Sequence, residues 1–305
     1  MSASLLEFVG GQLTGAALKP GIAEAAREIA DRLNGVAVLF YGSVLRTGDL
    51  DGLLDFYVLT PDMQKTGVGG FLSRNLWPDI SFEEVRTSAG LVRAKVATMP
   101  LSTFASAASG EHLDSTIWTR FVQPSALAWA RDERSEHLAI HAVASAAITA
   151  AAVSASGGPR QATPLGFWRD LFRQTYATEF RVERSGRSEQ IVDFAPDYYA
   201  RLLPLAWSAA GIPYRVVGSE LRSEISTEDA SRYLQMWVRQ QNAGKLLNVA
   251  RLVKAAFTVK GAARYGLQKV ERHTGVSIPL TPFRERHPIL AAPGVFFRIW
   301  RSAGR

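Results

Sequence analysis

Cysteine is absent from all 305 residues, which excludes disulfide staples and thiolate metal ligands and fits a reducing compartment. No apolar run reaches the ~20 residues that a membrane-spanning helix needs. The most apolar stretch, Leu138 to Ser154, is alanine-rich, contains His141 and suits a buried helix. Met1 to Phe8 shows no basic segment followed by a long apolar core, so no secretory leader is expected and the reading is cytoplasmic. The histidines, His112, His137, His141, His273 and His287, share no metal-ligand spacing, and the His137/His141 pair lacks the glutamate of a zincin helix. A G-x-S-x-G elbow, a Walker A loop and a dinucleotide fingerprint are also missing, which removes the chemistries those motifs carry. There is no internal repeat and no low-complexity tract.

What is present is a chain with 47% hydrophobic residues, long enough for more than one average domain and for a sizeable core. The net charge of +7 is less informative than its position. From Asn242 to the end there are 12 Lys/Arg against 2 Asp/Glu, a surplus of +10, while the remainder carries 23 against 26. A basic segment of this kind seeks phosphate, whether on a nucleotide, a nucleic acid or an anionic membrane.

Periodicity predicts a helix over Ile22–Leu33, stopped by Asn34-Gly35. Strands follow at Val36–Tyr41, Leu53–Leu59, Glu83–Arg86 and Leu91–Thr98, making a small mixed sheet. In the second strand Leu54, Phe56 and Val58 share one face, with Leu53, Asp55 and Tyr57 on the other. Leu113–Ala130 reads as helix or edge strand broken at Pro124, and Glu136–Val153 as one long helix. Ser154 to Pro159 then marks a loop or boundary. The second half alternates helices (Leu165–Thr178, Pro196–Ala210) with short strands (Phe180–Glu183, Tyr214–Val217, Leu221–Ile225), as a winged-helix-like module would. Thr227-Glu228-Asp229 caps a helix from about Ala230 to Gln241. The expected class is α+β: a mixed-sheet domain over 1–134, a helical, winged-helix-like domain over 135–241, and a basic amphipathic segment over 242–305.

The chemistry concentrates at Tyr41-Gly42-Ser43 and Asp55. A Gly-Ser pair after a strand lets backbone approach a phosphate, to which the serine hydroxyl and nearby N–H groups donate. Asp55 is the odd residue in an apolar strand, and a carboxylate there needs a cation or a hydrogen-bond partner. Together these are how nucleotidyltransferases hold a nucleoside triphosphate and Mg²⁺ or Mn²⁺. Most such enzymes place two carboxylates two residues apart. Here Leu53 and Tyr57 occupy those positions, so a second acid has to come from elsewhere.

Tyr41-Gly42-Ser43-x-x-Arg46 followed by Leu54-Asp55-Phe56 resembles the mitochondrial-type phosphatidate cytidylyltransferase family, of the translocator assembly and maintenance type, whose members also show one aspartate here. Ile117 to Pro124 is similar to that family's Gly-Arg-Leu-Gln-Lys-Pro segment, with Arg120 and Pro124 in register. Tyr176 to Arg181 is similar to its Tyr-x-Gly-Asp-x-Arg segment, with Glu179 in the acidic place. The basic stretch Lys245–Lys269 also has a counterpart near that family's C-terminus. Two departures, Leu76 to Ser81 in place of an Asn-x-x-His-Tyr-Ser block and a missing Gly-rich block, bear on the acceptor lipid more than on the reaction.

The resemblance implies transfer of CMP from CTP to phosphatidic acid, giving CDP-diacylglycerol and pyrophosphate. In that scheme Asp55 and Glu179 hold metal, with Arg181 beside them in the catalytic group. Tyr41, Gly42, Ser43, Arg46, Arg93 and Arg120 bind the nucleotide, arginine forks being suited to phosphate.

Lys245, Arg251, Lys254, Lys260, Arg264 and Lys269 punctuate an apolar stripe, and Phe296 to Arg301 repeats the mixture around Trp300. An amphipathic helix on an anionic membrane has this pattern, with Lys254, Lys260, Arg264 and Trp300 as its contacts. The expectation is a cytoplasmic enzyme peripheral to the membrane, with CTP and a lipid phosphate as partners and no nucleic acid; the oligomeric state stays open. Two alternatives stand beside it: the same fold with a ceramide, sphingoid or sugar phosphate as acceptor, or a non-catalytic nucleic-acid-binding module.

Overall fold

Two helices precede the first strand of the computed structural model, which describes residues 1–42, 44–45, 53–62, 76–178, 187–258, 279, 281–283 and 294. Helix α1 (Ala3–Thr14), not anticipated from the sequence, is capped by Ser2, whose hydroxyl accepts from the Leu5 N–H. Helix α2 (Pro20–Leu33) starts on a proline and stops at Asn34, where a left-handed φ of 53° sends the cap N–H to the Ala30 carbonyl.

Five strands follow: β1 (Ala37–Tyr41), β2 (Leu54–Thr60), β3 (Asp79–Thr87), β4 (Gly90–Pro100) and β5 (Ala126–Ala130). Their order is β3-β4-β2-β1-β5, with β2 and β4 parallel and the other pairs antiparallel. The expected mixed sheet is thus present within an α+β chain. Strand alternation divides the sheet as predicted: Leu54, Phe56 and Val58 pack with Phe40, Val96 and the apolar side of α2, while Tyr57 and Leu59 join Leu39 and Ala97 beneath the helices on the other side.

That second face is covered by α3 (Leu101–Ala108), α4 (Thr116–Phe121) and α5 (Glu133–Gly157). Asp132 caps α5 by accepting from the Ser135 N–H at 2.7 Å. Helix α5 is long and apolar enough to cross a bilayer, but 72% of its apolar stretch is buried inside the protein. Its alanines let α1, α3, α4 and the later helices approach closely.

The second half contains β6 (Gln161–Ala162), α6 (Pro164–Thr178), α7 (Arg187–Phe194), α8 (Pro196–Ala209), β7 (Tyr214–Val217), β8 (Glu220–Ser223) and α9 (Thr227–Thr258). The three short strands form a separate sheet in the order β6-β8-β7. Buried tryptophans tie the helices together: Trp168 donates to the Tyr199 carbonyl and Trp207 to that of Ala151, each at 2.9 Å. One hydrophobic cluster runs from the sheet face through α5 into α6 and α8.

Two expectations change. The last helix is capped by Ser226, which exchanges hydrogen bonds with Asp229, rather than by Thr227. It also does not end at Gln241 but continues through Asn242 to Thr258, because no proline or left-handed residue interrupts it. The first turns of the basic segment therefore belong to a helix docked on the fold. The strand expected over Phe180–Glu183 lies outside the described residues.

Candidate active site

Asp55 sits near the start of β2, opposite Tyr41 on β1 and Lys95 on β4. Cross-strand neighbours share a face, so this row lies on the helical side of the sheet. Gly42, just past β1, has φ of +97°, and a Cβ built there would fall 2.8 Å from Asp55 Oδ2. Glycine is required twice over at this point, by the backbone conformation and by the carboxylate packed against it. Burial raises the Asp55 pKa above its ordinary value, with Lys95 and then Arg120 opposing the rise.

An aromatic floor supports this row. The Tyr41 and Tyr57 rings are 5.5 Å apart, Phe121 meets Tyr57 edge-on at 5.1 Å, and Phe104 meets Phe121 at 4.8 Å. Arg120, in the last turn of α4, lies over it: its guanidinium is 5.2 Å from the Tyr41 centroid and donates to the Tyr57 hydroxyl at 3.2 Å. Arg93, exposed two residues before Lys95, points to the same side and stands opposite Glu84.

Helix α4, which carries Arg120, is tied to α9. Asp114 accepts from the Thr116 N–H at the start of α4 and ion-pairs with Arg251 of α9. Arg251 in turn stacks 5.1 Å from the Trp77 ring, and burial lowers its pKa while the Tyr57 hydroxyl opposes that shift. Gln240 adds a second tie, accepting from Trp118 Nε1 at 3.1 Å and donating to the His112 carbonyl at 2.8 Å. Lys254, the next inward cation, donates to the Leu76 carbonyl at 2.6 Å and pairs with Asp79.

The structure thus brings Tyr41, Gly42, Asp55 and Arg120 together, with Arg93 on the same face. Lys254 is a correction: expected on a solvated cationic surface, it is only 8% exposed and held by Asp79, because its face of α9 packs toward the sheet edge. Ser43, Arg46, Glu179, Arg181, Lys260, Arg264 and Trp300 lie outside the described residues.

Sequence reasoning missed Lys95, Asp114 and Arg251 as parts of this region. The alternation Arg93-x-Lys95 signalled two cations on one strand face, but only the register of β4 against β2 sets Lys95 opposite Asp55. Nothing in the sequence joins Asp114 to Arg251.

As to metal, no group of three His, Asp or Glu side chains converges among the described residues. Mg²⁺ is commonly held by one or two carboxylates with substrate phosphates completing the shell. A desolvated carboxylate beside an obligatory glycine fits one such position, and Asp55 is the residue that would hold it. Compared with known proteins, the chain matches no family model and no curated sequence.

Proposed function

We propose that this protein is a metal-dependent nucleotidyltransferase that moves CMP from CTP onto a lipid phosphate, phosphatidic acid being the first acceptor to test. The observation that carries the reading is the packing of Asp55 against a positive-φ Gly42 at the end of β1, with Lys95 and Arg120 acting on the carboxylate. A glycine there leaves room for a phosphate to approach backbone, while Asp55 offers a ligand beside it.

The acceptor phosphate is already ionised and needs no strong general base. Its oxygen forms a bond to the α-phosphorus of CTP, the bond to the β-phosphate oxygen breaks, and pyrophosphate departs with that electron pair. Bound Mg²⁺ supplies charge neutralisation across the phosphates. Lys95 and Arg120 add fixed positive charge on the same face, and the aromatic floor under Arg120 limits the directions its guanidinium can take.

The test is incubation with Mg²⁺, labelled CTP and phosphatidic acid vesicles. CDP-diacylglycerol and pyrophosphate are expected in equal amounts, and parallel trials with ceramide phosphate and sugar phosphates assign the acceptor. Absence of turnover with every nucleotide and acceptor, or full activity in Asp55→Ala, overturns the proposal.

A further inference from the structure

Sheet register shows what surrounds the Asp55 carboxylate on its own face. Along β2 the positions two residues either side are Leu53 and Tyr57. Across the strands its partners are Tyr41 on β1 and Lys95 on β4, and diagonal to it on β4 stand Arg93 and Ala97. None of these six neighbours is an acid, and two of them are cations. The acid that β3 adds to this face, Glu84, stands opposite Arg93 and two strands away from Asp55. At ~4.8 Å per strand that is roughly 10 Å, too far to share an ion with Asp55.

Lys95 is half-buried and one strand spacing from Asp55. Burial raises the Asp55 pKa, and of the two cations that oppose the rise Lys95 acts more strongly than Arg120. Where two divalent ions assist phosphoryl transfer they sit about 3.5–4 Å apart and clamp the attacking and leaving oxygens between them. Beside Asp55 a second ion would find no further carboxylate among these neighbours to bridge it to the first. It would also lie against a fixed ammonium of its own sign.

We propose that Lys95 takes the place of a second metal ion: the site works with a single Mg²⁺ held by Asp55, and the Lys95 ammonium binds phosphate oxygens of the nucleotide beside it. The inference rests on the nucleotidyltransferase reading and adds to it a metal count and the residue that sets it. Lysine suits this part, because its ammonium is a compact point charge with three donors on a flexible stem. Such a group can follow the phosphates as pyrophosphate leaves. Arg120, held over the Tyr41 ring and bonded to the Tyr57 hydroxyl, is a more fixed charge.

Counting bound ions in the full chain tests this without reference to turnover. Mn²⁺ is titrated in the presence of saturating CTP and no acceptor, and free Mn²⁺ is read from its electron paramagnetic resonance signal. One ion per chain is expected in wild type, and two in Lys95→Asp, which gives the row a second carboxylate. Lys95→Met keeps most of the stem and removes the charge, so calorimetric titration with CTP and Mg²⁺ is expected to show binding weakened about tenfold or more. This variant and the wild-type count decide the matter if Lys95→Asp fails to fold. Two ions in wild type, a single ion in folded Lys95→Asp, or unchanged CTP affinity in Lys95→Met overturns the inference. In each of these cases wild-type turnover, abolished by Asp55→Ala, leaves the proposed activity standing; a wild-type protein that binds no CTP removes both.

Discussion

Asp55 is held protonated more readily in the folded protein than in the unfolded chain, because burial outweighs the opposing charges of Lys95 and Arg120. The folded state therefore binds the proton more tightly, and the stability this group contributes is lost as pH rises through its raised pKa. At neutral pH Asp55→Asn is expected to raise the melting temperature while lowering turnover by about a hundredfold or more. Thermal scans at several pH values check the first half: the gain over wild type shrinks toward zero as pH falls toward the ordinary aspartate range. An acid limb of activity lying above pH 3.8 is the matching kinetic signature. Gly42→Ala acts in the opposite direction on stability. A positive φ costs a non-glycine residue about 1–2 kcal/mol, and the new methyl would displace the Asp55 carboxylate. Both melting temperature and turnover should fall, and a Gly42→Ala protein of wild-type stability contradicts the conformational argument.

At the scale of elements, α9 acts as a strap from the second half of the chain to the sheet. Its inward residues Gln240, Arg251 and Lys254 reach Trp118, Asp114 and Asp79. Since Asp114 also receives the first turn of α4, the strap bears on Arg120 at that helix's other end. Arg251→Leu leaves the Asp114 carboxylate buried without its cation, a loss of about 3 kcal/mol. Urea denaturation measures it, and adding Asp114→Asn should restore part of the stability, the coupling between the two appearing in the double-mutant cycle. Turnover should fall in Arg251→Leu as well, through displacement of Arg120, even under conditions where the protein remains folded.

For the whole molecule, the charge surplus after Asn242 divides into two roles. Arg251 and Lys254 point into the protein and hold α9 down, so they are not part of a membrane-facing surface. If the remaining basic residues hold the protein on an anionic membrane, each cation near the surface contributes about 1 kcal/mol. Lys260→Ala combined with Arg264→Ala should then weaken binding to anionic vesicles in flotation by roughly thirtyfold, and rising salt should weaken it too. Lys254→Ala should reduce stability and leave flotation unchanged. The reverse pattern would show that the inward contacts of Lys254 do not describe its role.

The sequence by itself determined the elements whose signals are local. The Ile22–Leu33 helix with its Asn34 stop, the Tyr214–Val217 hairpin strand and the long alanine-rich core helix follow from periodicity, capping and turn chemistry. The oddness of Asp55 between apolar neighbours, on the face opposite Leu54 and Phe56, was likewise visible, because strand alternation needs no partner. Pairing across the sheet was not: Lys95 meets Asp55 only through the order β3-β4-β2-β1-β5, which no local pattern encodes. Tertiary structure also decided that α9 runs on to Thr258 and turns Lys254 inward. An amphipathic stripe specifies that one face is covered, but whether lipid or protein covers it depends on surfaces far away in the chain.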